Sequence, residues 1–314
     1  MMHRQIGTLS PQAPYNFPLV LEILRRYAHP TLDHVHQDAY WRALHVSSGN
    51  AHGLALIRVN LLENDDLGVA LMATTLDSTD SIDDSDLLAE VRHILGLDMN
   101  VPPFYVYART QPELWQVVAP LEGVRWLRTA TTFEALCMTI IEQQIAWTAA
   151  QRAQRWLVEW GGHTLNYDGK PYFAFPTAEQ IANSTEEELT PLKITFRRMR
   201  LLIHVAQSVV RGEIDLERLK QTSPQEAYSV LTGIKGIGHW TAAWTLARTQ
   251  GSFAYVGHND VALQAAVNHY FYGGTGKIPE AQVTETFVRY GEYAGLAAHY
   301  TILRWVLDRY EPTR

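Results

Sequence analysis

The stretch Leu231-Thr-Gly-Ile-Lys-Gly-Ile-Gly-His-Trp240, continued by Thr-Ala-Ala-Trp244, decides the fold. Gly233, Gly236 and Gly238 alternate with Ile234, Lys235 and Ile237 between two helical patterns, residues 224–231 and 239–249. Two helices joined by a short glycine turn make a helical hairpin. Glycines permit positive φ and let the backbone lie bare against a ligand. Ile234 and Ile237 are placed to tuck under the turn. The first N–H groups of the second helix have no intrahelical partner, and such groups bind phosphate. A tight interhelical turn without a ligand is the plain alternative. The absence of Gly-Lys-Ser/Thr excludes a P-loop. The order Gly-x-x-Gly-x-Gly, with no strand before it, excludes a dinucleotide fingerprint.

Twenty-two residues past Gly238 stands Asp260, in Tyr255-Val-Gly-His-Asn-Asp-Val-Ala-Leu-Gln264. Hairpin and aspartate together resemble the helix-hairpin-helix, Gly/Pro-rich-loop, aspartate signature (HhH-GPD) of DNA glycosylases. That pattern runs Leu-x-Gly-Ile/Val-x-Gly-Ile/Val-Gly, then a helix, then a loop ending in the catalytic Asp. Gly257 or His258 stands where the family's loop proline would be.

With 314 residues, 46% of them hydrophobic, the chain can bury a large core, and its length suggests two domains. The one cysteine, Cys137, excludes a disulfide framework and a four-cysteine iron–sulfur cluster; it falls in an apolar run and reads as core. No apolar stretch reaches the roughly 18–20 residues needed to span a bilayer, and the first residues lack a secretion signal. The expectation is a soluble protein, cytoplasmic (nucleoid-associated) or nuclear, not secreted. The net charge of −7 argues mildly against nucleic acid. Residues 193–220, however, hold seven basic side chains (Lys193, Arg197, Arg198, Arg200, Arg211, Arg218, Lys220) against Glu213, Asp215 and Glu217, a local +4. A basic face on an acidic protein is compatible with DNA.

Along the chain, residues 1–14 read as a tail and 14–27 as a loop entering a helix. Alternating stretches at 39–46, 54–61 and 68–74 read as strands. In the second, Leu54, Leu56, Arg58 and Asn60 share one face and Ala55, Ile57, Val59 and Leu61 the other. Residues 77–86, with five Asp, read as a solvated loop in which Asp86 caps a helix ended by Gly96. Beyond it the pattern is nearly all helical, with one long helix over 132–156 interrupted by the polar pair Gln143-Gln144. Thr177 is a candidate cap, and 279–290 and 295–310 are closing helices. The expected class is α+β: an N-terminal antiparallel sheet domain over 1–110 and a helical HhH-GPD domain over 111–314 with its hairpin at 231–244.

Three further segments resemble the AlkA-type 3-methyladenine DNA glycosylases. They are Phe133-Glu…Ile-Ile-Glu-Gln-Gln-Ile145, Phe175-Pro-Thr-Ala-Glu-Gln-Ile with Arg198-Met-Arg-Leu-Leu-Ile-His-Val-Ala, and Pro14-Tyr-Asn-Phe. The likeness covers roughly residues 14–310 and carries implications for the site. Gln144 aligns with the residue that wedges into the base stack, with Gln143 or Ile145 if the register is off by one. Gly233, Ile234, Lys235, Gly236, Ile237, Gly238 and His239 would hold a DNA phosphate. Trp147, Trp240, Trp244, Tyr255 and Tyr293 would line the pocket for the flipped base, where electron-poor alkylated purines stack on aromatic faces; each alone also reads as core packing. The family's aromatic before the last helix is missing, with Ala297 or a neighbour in its place. Asp260 would stabilise the oxocarbenium-like transition state and position water; without the resemblance it reads as a cap for the helix after it. His258 and Asn259 either orient it or shape the loop.

Bifunctional relatives carry a nucleophilic lysine just after the last hairpin glycine, where this chain has Trp240. The implied activity is therefore monofunctional: release of alkylated purines of the 3-methyladenine and 7-methylguanine type from double-stranded DNA, leaving an abasic site. No cofactor and no catalytic metal are expected, no membrane contact, and a monomer. Two other readings remain: a damaged-DNA-binding module that has lost catalysis, and an oxidised-purine glycosylase/lyase, which Trp240 disfavours.

Overall fold

In the computed structural model the described residues are 4–27, 31–48, 51–65, 68–78, 82–255 and 257–309. Outside them lie residues 49–50 and 66–67, parts of the turns that the sequence predicts at 47–53 and 63–68, together with 79–81 of the acidic stretch, Val256 and Tyr310. Five antiparallel strands form a sheet in the order β1-β5-β4-β3-β2, with β1 Arg4–Leu9, β2 His34–His36, β3 Ala39–Ser48, β4 Ala51–Asp65 and β5 Gly68–Ser78. The stretch expected to be a tail therefore contains a strand. β1 pairs with β5 in register Thr8↔Met72 and Leu9↔Leu71, burying Ile6 and Leu9. Its short run of alternating side chains is too weak a period to stand out from a polar context.

The two faces of β4 are both covered, as its nearly continuous apolar sequence requires. Ala55, Ile57 and Val59 join the main core with Tyr40 and Leu44. Leu54 and Leu56 join Ala39, Trp41 and Ala43 in a second layer. That layer is closed by a hairpin of β6 (Thr164–Tyr167) and β7 (Lys170–Phe173), which supplies Leu165 and Tyr172. This hairpin is the one strand pair among the described residues within the nearly all-helical continuation that the pattern predicts. Its turn, Asp168-Gly169, has both φ positive (49° and 71°), the two-residue conformation that Asp-Gly favours.

Helix α1 (Phe17–Tyr27) packs on the inner face of the sheet, its first turn capped by Asn16 Oδ1 accepting from Leu19 N at 3.0 Å. Helix α2 spans Asp84–Ile94; its N-cap is Asp83 rather than Asp86, which sits inside the first turn. Helices α3 (Pro102–Arg109) and α4 (Pro112–Val118) complete this layer. The central helix α5 (Thr132–Glu142) is buried on all sides, as its apolar sequence requires. Thr131 Oγ1 caps it, and Glu217 accepts from Thr132 N and Phe133 N, each at 3.2 Å.

The expected single helix over 132–156 is two: α5 and α6 (Trp147–Gly161), separated at 143–146. The rest is α7 (Ala178–Ala182), with the Thr177 capping box, α8 (Phe196–Val210), α9 (Pro224–Gly233), α10 (His239–Gln250), α11 (Val261–Tyr272), α12 (Glu280–Val288) and α13 (Ala294–Arg309). α13 packs on α11, α12, α4 and α1, and one core cluster joins Ile6 to Val306. A second cluster surrounds α5, α8 and the hairpin.

Sheet and helices are tied by buried charge. Arg42 of β3, 3% exposed, donates Nη2 to both Glu134 oxygens of α5 (2.6 and 2.7 Å) and Nη1 to Asp33 at 2.6 Å. Removing one member of a buried pair strands the other and costs about 3–5 kcal/mol. Arg42→Ala should lose stability in that range in denaturant unfolding. The double change Arg42→Met, Glu134→Leu should recover most of it.

Candidate active site and DNA interface

α9 opens on a cap, Ser223 Oγ accepting from Glu226 N at 3.2 Å with Pro224 in the first turn, and runs into the loop between Gly233 and Gly238. Ile234 and Ile237 are buried under the turn, while Gly233, Lys235, Gly236, Gly238 and His239 are exposed. Of the three glycines only Gly236 uses its freedom: φ is +103°, and a Cβ would sit 3.1 Å from Leu201 of α8. Gly238 has φ −94° and is the N-cap of α10 with no side chain to offer, so the first turn of α10 opens on an uncovered surface. His239 Nδ1 meets Tyr228 OH at 2.9 Å, and Tyr228 stacks on Tyr255 with centroids 3.9 Å apart.

Asp260 begins α11, its Oδ1 accepting from Leu263 N at 2.9 Å, so the capping role holds. Its other oxygen accepts from Trp240 Nε1 at 3.0 Å. The aspartate is thus oriented by the second residue of α10. Trp244, one turn on, lies 6.4 Å from Trp240. Gly257 approaches both indoles: a Cβ there would lie 3.2 Å from Trp240 and 3.6 Å from Trp244. His258 Nδ1 meets Thr284 Oγ1 at 2.8 Å.

Gln143 and Gln144 occupy the break between α5 and α6. Gln144 has φ +52° and is exposed; Gln143 Nε2 donates to Thr241 Oγ1 of α10 at 2.9 Å. The break is braced from below by Arg198 of α8, 8% exposed, whose Nη1 donates to Ile141 O (2.9 Å) and Gln143 O (2.6 Å). Arg198 belongs in sequence to the basic run of 193–220, yet it shares a helix face with Leu201, Leu202 and Val205, a spacing that marks it as inward-facing. Lys220 also turns inward, donating to Ala130 O. The exposed basic face is therefore Lys193, Arg197, Arg200, Arg211 and Arg218, with Arg211 paired to Glu213 and Arg218 to Glu226.

The aromatic candidates divide. Trp240 bonds Asp260, and Trp244 and Tyr255 line a small cavity of about 20 Å³ with Gly257, Leu263, Phe253 and His299. Trp147 lines a separate cavity of about 140 Å³ with Trp126, Met138, Glu142 and Arg248. Tyr293 is not brought with either; it packs on Tyr107 (4.8 Å) and Phe104 (5.8 Å). Ala297 is fully buried. Two aromatic groups that the sequence did not single out stand close to Trp244: Trp126, 6.2 Å from it, and His299, edge-on to Trp126 at 4.1 Å and stacked on Phe253 at 4.5 Å. Gly295 permits that stack, since a Cβ would lie 2.0 Å from Phe253 O. Among the described residues no group of three or more His, Cys, Asp or Glu could hold a metal, and no helix is long and apolar enough to cross a membrane.

With this geometry in hand, comparison with known proteins is informative. Residues 137–290 match the model of the HhH-GPD superfamily base excision DNA repair protein. Over 163 residues the chain is 31% identical to a DNA-3-methyladenine glycosylase of Bacillus subtilis (strain 168), covering 52% of this chain and 54% of that one. The match thus spans about half the length of that relative. Over 243 residues it is 25% identical to DNA-3-methyladenine glycosylase 2 of Escherichia coli (strain K12), covering 75% and 77%. The solved 3-methyladenine DNA-glycosylase from Archaeoglobus fulgidus shares the fold, with a TM-score of 0.79 over 96% of this chain and 98% of that one at 21% identity. The resemblance read from the hairpin and Asp260 is borne out, as is the α+β class. Trp126 and His299 both lie outside the matched segment.

Burial pushes the imidazoles of His299 and His93 down to about 3. For His93 the cations Arg128 and Lys220 add to the effect. Both rings are neutral when folded, whereas the unfolded chain takes up protons below the ordinary value of 6.5. Stability is thus complete above pH 6.5 and falls as pH drops from there towards 3, by about 1.4 kcal/mol per pH unit for each ring. Thermal unfolding between pH 7 and 4 should show this slope, and His299→Phe should remove one ring's share.

Proposed function

Proceeding from the HhH-GPD segment at 137–290 as premise, we propose that the chain is a monofunctional DNA glycosylase. It hydrolyses the N-glycosidic bond of alkylated purines in duplex DNA and leaves an abasic site. The observation that carries this reading is the Trp240–Asp260 hydrogen bond. It ties the carboxylate to the helix that opens on the hairpin, so phosphate anchor and catalytic group move as one body. It also fills the lysine position with a side chain that cannot form a Schiff base.

In this reading the hairpin from Gly233 to His239 grips a phosphate through its backbone N–H groups, with Lys235 adding charge. Gln144 enters the base stack, and Gln143 is its neighbour on the break. Trp240, Trp244 and Tyr255 are the proposed walls of the base pocket; the place of Trp147 in a separate cavity and the packing of Tyr293 on α3 argue against a direct part for either. Asp260, fixed by two donors, faces the C1′ carbon. As the bond to the base lengthens, the carboxylate stabilises the positive charge growing on the sugar and orders the attacking water. The partner is double-stranded DNA with a damaged base, met by a monomer wherever the cell keeps its DNA. The division into 1–110 and 111–314 is part of the same proposal.

Base release from methylated DNA, read as alkali-labile abasic sites, tests the reading. Wild type should release 3-methyladenine or 7-methylguanine. Asp260→Asn should be slower by about 10²–10³-fold while still binding DNA, and Trp240→Phe slower by about tenfold. Borohydride should trap no adduct. A wild type that binds damaged DNA yet releases nothing would leave the binding-module reading in its place.

A further inference from the structure

The smaller cavity is the one joined to Asp260. Gly257 and Leu263 line it; Asp260 N donates to Gly257 O at 2.8 Å, and Asp260 Oδ1 accepts from Leu263 N at 2.9 Å. At about 20 Å³ it has room for a single water, which needs about 10–15 Å³. A planar ring needs far more, since a cavity of about 150 Å³ is what holds benzene. A displaced purine therefore enters only if a wall withdraws. Ala243, Ala247, Gly295 and Ala298 line the cavity from α10 and α13 and have little or no side chain to turn aside. Trp126 differs. Its ring meets three side chains of this lining, Trp244 at 6.2 Å, His299 at 4.1 Å and Phe253 at 5.9 Å. It also lines the 140 Å³ cavity. The indole is thus a wall shared by the small pocket and a second, larger space.

The backbone at Trp126 is fixed. A Cβ on Gly96 would lie 2.5 Å from Trp126 O, and on either side Arg125 Nη2 donates to Gln12 O at 3.0 Å and Arg128 Nε to His93 O at 2.8 Å. Only the side chain is left to move. Its Nε1 is buried with no partner among the described residues, a cost that the present position carries. The larger cavity offers an acceptor. Glu142 lines it, and its oxygens meet Gln154 Nε2, Arg248 Nη1 and Arg248 Nη2 at 2.8, 2.8 and 3.0 Å. A carboxylate has about four lone-pair sites, so one is left for an indole N–H. We propose that Trp126 is the movable wall of the base pocket: as the damaged base turns in beside Asp260, the indole swings into the larger cavity and vacates the room that the base takes. The inference rests on the glycosylase reading and adds a positioning residue to it. The larger cavity is the space that receives the indole, not the seat of the base.

The test uses the full chain on methylated DNA. Leu24 of α1 lines the larger cavity, and Leu24→Trp fills the space that the indole needs. Release of 3-methyladenine should slow by about tenfold or more, since a base held short of its seat reacts poorly. Affinity for a duplex carrying a tetrahydrofuran abasic analogue, which has no base to admit, should stay unchanged. Adding Trp126→Ala to Leu24→Trp removes the wall while keeping the total side-chain volume nearly level, and release should return to within about threefold of wild type. Merely structural damage would add up in the double variant. Additive losses, or a Leu24→Trp chain as fast as wild type, overturn the proposal and leave the glycosylase reading standing. Ile94→Phe, which enters the same cavity from α2, covers the case in which Leu24→Trp does not fold. Where wild type releases no base, titration with free 3-methyladenine followed by tryptophan fluorescence decides the matter. Binding that the filled variant abolishes upholds the movable wall while the glycosylase reading fails. Binding that filling leaves unchanged, or no binding at all, ends both.

Discussion

The geometry of the site depends on one buried guanidinium. Arg198 takes up the carbonyls of Ile141 and Gln143 at the point where α5 stops. A helix that ends inside a protein leaves its last carbonyls without partners, and a buried carbonyl left so costs about 1–3 kcal/mol. Arg198 meets that requirement from a neighbouring helix. The chain is then free to turn outward at Gln144 through a left-handed conformation and to restart at Trp147. An uninterrupted helix over 132–156 would put Gln143 and Gln144 on its side, bury one of them, and close the space between Glu142 and Trp147. Exposed wedge and covered cavity are two results of the same break.

What the sequence made legible follows from which signals are local. The hairpin is written in the glycine and isoleucine spacing of 233–238, and the strands of the sheet in alternation at 39–46, 54–61 and 68–74. Asp260 stands ahead of an apolar helical run as a cap would, and it caps α11. The break at 143–146 was visible only as a polar pair, because what ends the helix is a donor more than fifty residues away. Arg198 itself was hidden in a basic run whose charge drew attention from its apolar helix face. The β6–β7 hairpin carried a clear Asp-Gly signal, but each strand is four residues long and so offers little period to count.

The pocket was the least legible part, for a physical reason. The aromatic and polar linings of the two cavities come from elements distant in the chain: in the larger, Trp126 from the segment before α5, Glu142 from its end and Arg248 from α10; in the smaller, Trp244 from α10 and His299 from α13. No local spacing marks such a set. Tyr293, which stands just before the last helix in the sequence, spends its ring on α3 instead.

The packing of α13 has a consequence for how the molecule is made. Tyr300 OH meets Tyr105 OH at 2.6 Å and donates to Val124 O at 2.7 Å, and Arg26 of α1 donates to Leu307 O at 2.6 Å. The layer that begins with β1 is sealed by the helix synthesised last among the described elements. Loop closure over such separations is slow, and contacts that span most of a chain delay folding. On the ribosome, the sheet and α1 would therefore emerge with part of their inner face uncovered, and wait for α13. Chaperone dependence during synthesis should follow the time taken to translate the intervening helices, not the intrinsic stability of the sheet.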